Sequence, residues 1–102
     1  MKHLTFVRKI LLDGNPCPKC LQVEARLARA GFLQRIDEIV IAREDDPTSP
    51  GAELAAKHGV HQAPFFIITD DSSGEPRQTV YTVYFAFVKA AFQSEPNHDP
   101  AT

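Results

Sequence analysis

Apolar residues in the first half of the chain form two short runs on either side of an amphipathic segment. Residues 4–12 are rich in apolar and β-branched side chains, and Ile10-Leu11-Leu12 is typical of a buried strand. The turn formers Asp13-Gly14-Asn15-Pro16 end that run. From Pro18 to Ala30 the apolar residues follow helical spacing, and Gly31 favours a helix stop. The pattern therefore predicts a strand, a turn and a helix.

The middle of the chain repeats this alternation of strand and helix. Residues 35–42 are rich in isoleucine and valine and predict a second strand. Ser49 is predicted to cap a helix that begins at Pro50 and stops at Gly59. The apolar run Phe65-Phe66-Ile67-Ile68 then predicts a third strand.

The last third of the chain predicts a hairpin followed by a helix. Residues 70–76 form a polar turn, and residues 78–81 predict a short fourth strand. Thr82 is predicted to cap a helix that ends near Phe92. The buried stripe of that helix is predicted to contain Val83, Phe87 and Ala90-Ala91.

The order of these elements is strand, helix, strand, helix, strand, strand, helix. The two crossover helices predict parallel pairing of the strands they join, and the polar turn predicts an antiparallel hairpin. The predicted fold class is therefore α/β, with a four-stranded mixed sheet covered by three helices. We assign residues 1–93 to this single domain. Residues 94–102 contain two prolines and no periodicity, which predicts a disordered tail.

Composition narrows the setting of the protein. The 102 residues are 43% hydrophobic and carry a net charge of −2, which gives no general attraction to nucleic acid or to anionic membranes. The sequence has no apolar run near the roughly 18–20 residues that a membrane span needs. Residues 1–6 lack the features of a signal peptide, so we expect a cytoplasmic protein. Two cysteines are too few for a disulfide scaffold.

The two cysteines form a Cys-x-x-Cys pair, Cys17-Pro18-Lys19-Cys20, at the predicted start of the first helix. Unpaired backbone N–H groups and the positive end of the helix dipole at Cys17 favour the thiolate, the form that attacks a disulfide. Cys20 lies one turn later on the same helical face, within reach of a short disulfide. We predict that Cys17 is the nucleophile and that Cys20 is the resolving thiol. Pro18 and Lys19 are expected to tune the couple and to contact substrate.

Two other interpretations of the cysteine pair remain open. Thiolates are favoured ligands of zinc and of iron–sulfur clusters, but two cysteines need a dimer, glutathione or His61 to complete such a site. In the second interpretation the cysteines are incidental, and the fold is a non-catalytic adaptor that presents a protein-binding surface. His58 and His61 are separated by Gly59, which ends the helix, so we predict no metal site built on these two histidines.

The element order, the Cys-Pro-Lys-Cys junction and the segment Gly59–Phe65 together resemble the thioredoxin fold and, by length, its glutaredoxin-like branch. The resemblance covers roughly residues 8–92. It implies that Pro64 is a cis-proline facing the cysteines, and that the Ala63 backbone pairs with an extended substrate or with glutathione. It also implies a thiol–disulfide oxidoreductase that reduces or exchanges protein or glutathione mixed disulfides in cell redox homeostasis.

Three departures from the patterns of these families are visible. The chain has no tryptophan, so the Trp-Cys-Gly-Pro-Cys signature of thioredoxins is absent. Leu11 stands six residues before Cys17, where thioredoxins carry a buried acid. Residues 78–82 replace the Gly-Gly pair and the aspartate with which glutaredoxins bind glutathione. We expect a monomer without a cofactor, reset by glutathione as co-substrate or by a flavin-dependent thiol–disulfide reductase.

Overall fold

A computed structural model describes residues 2–92, and the elements follow the predicted order. The predicted tail, residues 94–102, lies outside the described residues. A short 3₁₀ turn, Leu33–Arg35, precedes the second strand. The strands and helices are β1 Lys2–Ile10, α1 Pro18–Arg29, β2 Glu38–Arg43, α2 Pro50–His58, β3 Phe65–Asp70, β4 Arg77–Tyr81 and α3 Tyr84–Phe92.

The four strands form one mixed sheet in the order β2-β1-β3-β4, which confirms the predicted α/β fold class. β1 pairs with β2 in parallel, and β3 pairs with β4 as an antiparallel hairpin. The expectation that both crossover helices join parallel strands is wrong for α2, because β3 runs antiparallel to β1.

The path of α2 explains this antiparallel strand. Gly51, at its start, lies against the backbone of Ala42 near the end of β2. After α2, Phe65 opens β3 opposite Val7, close to the carboxyl end of β1. A nine-residue helix spans about 13 Å, and two strand spacings are about 10 Å. The helix is therefore long enough to carry the chain across β1 but leaves it at the same end of the sheet.

The buried part of β1 differs from the prediction. Residues Leu4–Val7 are buried, whereas Leu12 lies in the following turn with 68% of its surface exposed. The prediction that Ile10-Leu11-Leu12 forms the buried strand is therefore wrong. The strand continues through Arg8 and Lys9, which pair with Ile41 and Ala42 of β2. Each also makes an ion pair with a carboxylate, Arg8 with Glu24 and Lys9 with Glu44.

The sheet buries a different core on each face. On the side of α1 and α3, Phe6 and Phe66 pack with Leu27 and Phe87, among others. On the side of α2, the buried residues are Val7, Val40, Phe65 and Ile67. The alternation of side chains along β1 and β3 divides the two sets, so both faces of these strands are apolar.

Two local predictions at the helix starts are corrected by the structure. Ser49 is the N-cap residue of α2 as predicted, but among the described residues its hydroxyl makes no capping hydrogen bond. It accepts the Arg43 N–H at 2.9 Å and donates to the Asp46 carbonyl, so it stabilises the loop. Val83 precedes α3 and is 57% exposed, and the buried residues of that helix are Phe87, Val88 and Phe92. In residues 2–92, no helix is both long enough and apolar enough to cross a bilayer.

Candidate functional site

Cys17 is the N-cap residue of α1, at the carboxyl end of β1. Its backbone is extended, with φ −60° and ψ 127°, and Pro18 follows in the first turn of the helix. Its N–H donates to the Lys9 carbonyl at 2.9 Å, and its carbonyl accepts the Leu21 N–H at 3.0 Å. The thiol is half-buried. The end of the strand and the start of the helix thus hold Cys17 in place from both sides.

Cys20 lies one turn further along α1 and is almost entirely buried, with 1% of its surface exposed. Its Sγ accepts the Lys9 N–H at 3.4 Å. Lys9 therefore holds both cysteines through its main chain, the first by its carbonyl and the second by its N–H. Both thiols are free.

The two thiols have pKa values displaced in opposite directions. Burial raises the pKa of Cys17, but the N–H and thiol of Cys20, the N–H of Lys19 and the charge of Lys9 together outweigh it, and the pKa is lowered. Burial raises the pKa of Cys20 to about 11. Cys17 is thus the more readily ionised of the two thiols, and at neutral pH Cys20 keeps its proton.

Two ion pairs flank the cysteines from opposite faces of β1. Arg8 points to the α1 side, where its Nη1 lies 2.6 Å from Glu24 Oε1, and its charge acts on Cys20. Lys9 points to the α2 side, where its Nζ lies 3.0 Å from Glu44 Oε2. The hydrogen bond from Lys9 and a second from the Leu12 N–H lower the pKa of Glu44.

The predicted substrate-binding residues fall into two groups. Pro18 and Lys19 are exposed in the first turn of α1, next to Cys17. Ala63 is half-buried and Pro64 is buried where the chain enters β3, and the peptide bond between them is cis.

A cleft of about 420 Å³ lies between α2 and the carboxyl ends of β1 and β2. We call it the α2 cleft. Lys9, His61 and Ala63 contribute to its rim, so it shares Lys9 with the cysteine pair and Ala63 with the predicted substrate-binding segment. Its apolar lining includes Ala42, Pro47, Ala52, Ala55, Ala56, Val60 and Phe65.

Lys9 and Glu44 are site residues that the sequence analysis did not predict. Lys9 sits inside an apolar strand run, and Glu44 sits in an acidic loop more than thirty residues away. A charged residue inside an apolar run indicates an ion pair, because a buried charge needs a partner of opposite sign. The identity of that partner depends on the pairing of β1 with β2.

Neither His58 nor His61 has a hydrogen bond or ion pair with the thiol pair among the described residues. His61 is exposed on the rim of the α2 cleft, and His58 ends α2 with a buried Nε2 that has no hydrogen-bond partner among the described residues. Within residues 2–92, His, Cys, Asp and Glu side chains form no group of three that could hold a metal ion.

Comparisons with known proteins establish the fold. Neither protein-family models nor curated protein sequences match the chain. A structural comparison finds a thioredoxin from Thermus thermophilus, with a TM-score of 0.51 and 19% sequence identity. The match covers 98% of this chain and 85% of that one. The protein therefore has a thioredoxin-like fold, as its resemblance implied, with a Cys-x-x-Cys pair at the start of the first helix.

Proposed function

We propose that the protein is a thiol–disulfide oxidoreductase that uses Cys17 and Cys20 as a reversible dithiol. One observation supports this most directly: two free cysteines on one helical turn differ in burial and in the direction of their pKa displacement. A dithiol reductant needs this difference, because one thiol must attack while the other stays protonated until a mixed disulfide has formed. The thioredoxin-like fold is consistent with the proposal.

In the first step the Cys17 thiolate attacks one sulfur of the substrate disulfide. A bond forms between Cys17 Sγ and that sulfur, the substrate S–S bond breaks, and the other sulfur leaves as a thiolate that takes a proton from water. The backbone N–H groups at the start of α1 favour the attacking thiolate. No net oxidation occurs in this step, because one disulfide replaces another.

In the second step Cys20 loses its proton and attacks Cys17 Sγ. The Cys17–Cys20 disulfide forms, and the second substrate sulfur leaves as a thiolate that is then protonated. The substrate has gained two electrons and the protein has lost two. Two external thiols then reset the pair: the first forms a mixed disulfide with it, and the second displaces the reduced dithiol and leaves as the new disulfide. For this role we propose two glutathione molecules, which leave as glutathione disulfide, or the dithiol of a thiol–disulfide reductase.

The remaining predicted residues take supporting roles in this proposal. Pro18 and Lys19 border Cys17 on the exposed first turn, where substrate must approach. Ala63 is proposed to pair its backbone with an extended substrate, and Pro64 to shape that segment. We propose that the substrates are protein or glutathione mixed disulfides, that the protein acts as a monomer, and that it serves cell redox homeostasis in the cytoplasm.

Trapping the mixed disulfide tests the roles of the two cysteines. The Cys20→Ser variant, mixed with a peptide disulfide, should retain one peptide on Cys17, measured as added mass by mass spectrometry. The matched Cys17→Ser variant should retain almost none, because its remaining thiol is buried and protonated. Stable trapping on Cys20 in the Cys17→Ser variant would reverse the assigned roles.

A redox titration tests the activity itself. Wild-type protein equilibrated in glutathione buffers should show a reversible two-electron couple between about −280 and −120 mV, the range of known dithiol oxidoreductases. Free thiols are counted by alkylation and mass. Thiols that never pair in this range would favour the metal-binding or adaptor interpretation and would overturn the proposal.

A further inference from the structure

We propose that the α2 cleft is a subsite for an apolar side chain next to the reacting cysteine of a peptide or protein disulfide. This inference rests on the proposed function, and it names the substrate class that the thiol pair prefers. Three features of the cleft favour such a side chain: its position, the chemistry of its lining and the charges at its rim.

The position of the cleft connects it directly to the thiol pair. Lys9 lines the cleft, and its carbonyl and N–H hold Cys17 and Cys20 at 2.9 and 3.4 Å. Ala63, the residue proposed to pair with substrate, lies on the same rim. Neither cysteine lines the cleft, but the charge of Lys9 acts on Cys17. The proposed subsite therefore takes a residue close in sequence to the disulfide, since an extended chain advances by about 3.3 Å per residue.

The lining of the cleft suits an apolar group. The small side chains of α2 that line the cleft, such as the half-buried Ala52 and the exposed Ala56, leave space beside Phe65 and Val60. A volume of about 420 Å³ falls in the range of ordinary ligand pockets and admits a side chain as large as leucine or phenylalanine. Burial of such a side chain is favoured by the hydrophobic effect.

The rim of the cleft does not favour an anion. Lys9 Nζ lies 3.0 Å from Glu44, and Arg43 Nε lies 3.3 Å from Asp45 Oδ1, so each of these cations already faces a carboxylate. Glutathione carries two carboxylates and no apolar side chain, so it gains little from this surface. The charge balance and the apolar lining thus favour a neutral, apolar neighbour of the disulfide.

The test compares two symmetric peptide disulfides that differ only in the residues flanking cysteine, leucine in one and glycine in the other. We expect wild-type protein to reduce the leucine peptide with about tenfold higher kcat/KM. The Ala56→Leu variant places a larger side chain in the cleft from an exposed position of α2. It should bring the kcat/KM values of the two peptides within about twofold of each other. The matched control Ala86→Leu, on exposed α3, should leave the preference unchanged.

Three further readouts separate the cleft from folding and from the chemistry. The thermal midpoint and the rate of Cys17 alkylation should be the same in both variants and in wild type. Reduction of glutathione disulfide should be unaffected by Ala56→Leu. Equal wild-type rates for the two peptides, or equal preferences in the two variants, would overturn the inference while leaving the proposed function intact.

A binding measurement decides the inference even if neither peptide is reduced, an outcome that would overturn the proposed function. Peptides with serine in place of cysteine are titrated into the wild-type protein and followed by NMR. Binding of the leucine peptide, with amide shifts concentrated at Ala56 and Val60, would support the subsite. Equal binding of the glycine peptide, or shifts elsewhere, would overturn it.

Discussion

The two faces of the sheet are packed in different ways. On the α1 and α3 side, the ring of Phe66 stacks on Phe6 and on Phe87, with centroids 5.1 and 4.0 Å apart. On the α2 side the helix has one glycine and three alanines among its nine residues. It comes so close that a Cβ on Gly51 would lie 2.5 Å from the Ala42 nitrogen. The first face is filled by large rings, whereas the second keeps an open cleft at its end.

This difference divides stability and access between the two faces. The aromatic core fixes the position of α1 and therefore of both cysteines. The α2 face leaves space beside Lys9, the residue whose main chain is hydrogen-bonded to both cysteines. Arg8 and Lys9 show the same division, because the charge of the first acts on Cys20 and that of the second on Cys17.

The largest expected effect is loss of the aromatic stack. Phe66→Ala should lower the free energy of unfolding by about 3–5 kcal/mol, because it removes a fully buried ring from contact with two others. The matched variant Phe85→Ala removes a ring that is 65% exposed and should cost less than about 1 kcal/mol. Urea denaturation of both variants measures the difference. Equal losses would show that the aromatic face does not dominate stability.

The close approach of α2 gives the next effect. Gly51→Ala should destabilise the protein by about 1–3 kcal/mol, because the added Cβ would lie 2.5–2.7 Å from the backbone of Ile41 and Ala42. Helix propensity alone predicts the opposite sign, a gain of about 0.5–1 kcal/mol. The sign of the change in the free energy of unfolding, measured by thermal and urea denaturation, therefore shows which of the two effects is larger. Ala56→Ser, at an exposed position of the same helix, is the control and should change little.

The parts of the fold that the sequence predicts well are those determined locally. Pro18 and Pro50 begin α1 and α2 as expected, and Gly59 ends α2 in the left-handed conformation with φ 66°. These residues act through their own backbone preferences, which need no knowledge of the partner elements. The thiol pair was predictable for the same reason, since its chemistry depends on a helix start in the same segment.

The features that could not be predicted depend on contacts between distant segments. Leu12 continues an apolar run in the sequence, yet it is exposed because the chain has already left the sheet at Ile10. The direction of β3 follows from the path of α2 across β1 rather than from any residue in β3. Lys9 becomes a site residue because its main chain binds two cysteines that lie further along the chain, Cys17 through its carbonyl and Cys20 through its N–H.

The buried thiol of Cys20 should make the free energy of unfolding depend on pH. Burial raises the pKa of Cys20 from 9.0 to about 11, so in this range the folded state keeps a proton that the unfolded state releases. The unfolded state then binds fewer protons, and the free energy of unfolding falls as pH rises from about 9 to 11. We expect a fall of roughly 1–2 kcal/mol in the reduced protein.

The Cys20→Ser variant isolates this contribution. Other groups also titrate in the same range, so the quantity to measure is the difference between reduced wild type and the variant in urea denaturation at a series of pH values. The difference should be steady below pH 9 and should change between pH 9 and 11. A difference that stays constant throughout would show that Cys20 ionises as it does in an unfolded chain.

The smallest expected effect tests whether a charge on the α2 side of the sheet, that of Lys9, changes the pKa of Cys17. The charge of Lys9 lowers the pKa of Cys17, so Lys9→Met should raise that pKa and slow alkylation at pH 7 by about twofold. Lys19→Met is the matched control. Lys19 lowers the pKa of Cys17 through its backbone N–H, which methionine retains, so its alkylation rate should stay close to wild type. Rates with iodoacetamide across pH 6–10 give the pKa in each protein. Equal alkylation rates in the two variants would contradict a specific effect of the Lys9 charge on the Cys17 pKa. Lys9 would then act on Cys17 through its main-chain carbonyl alone.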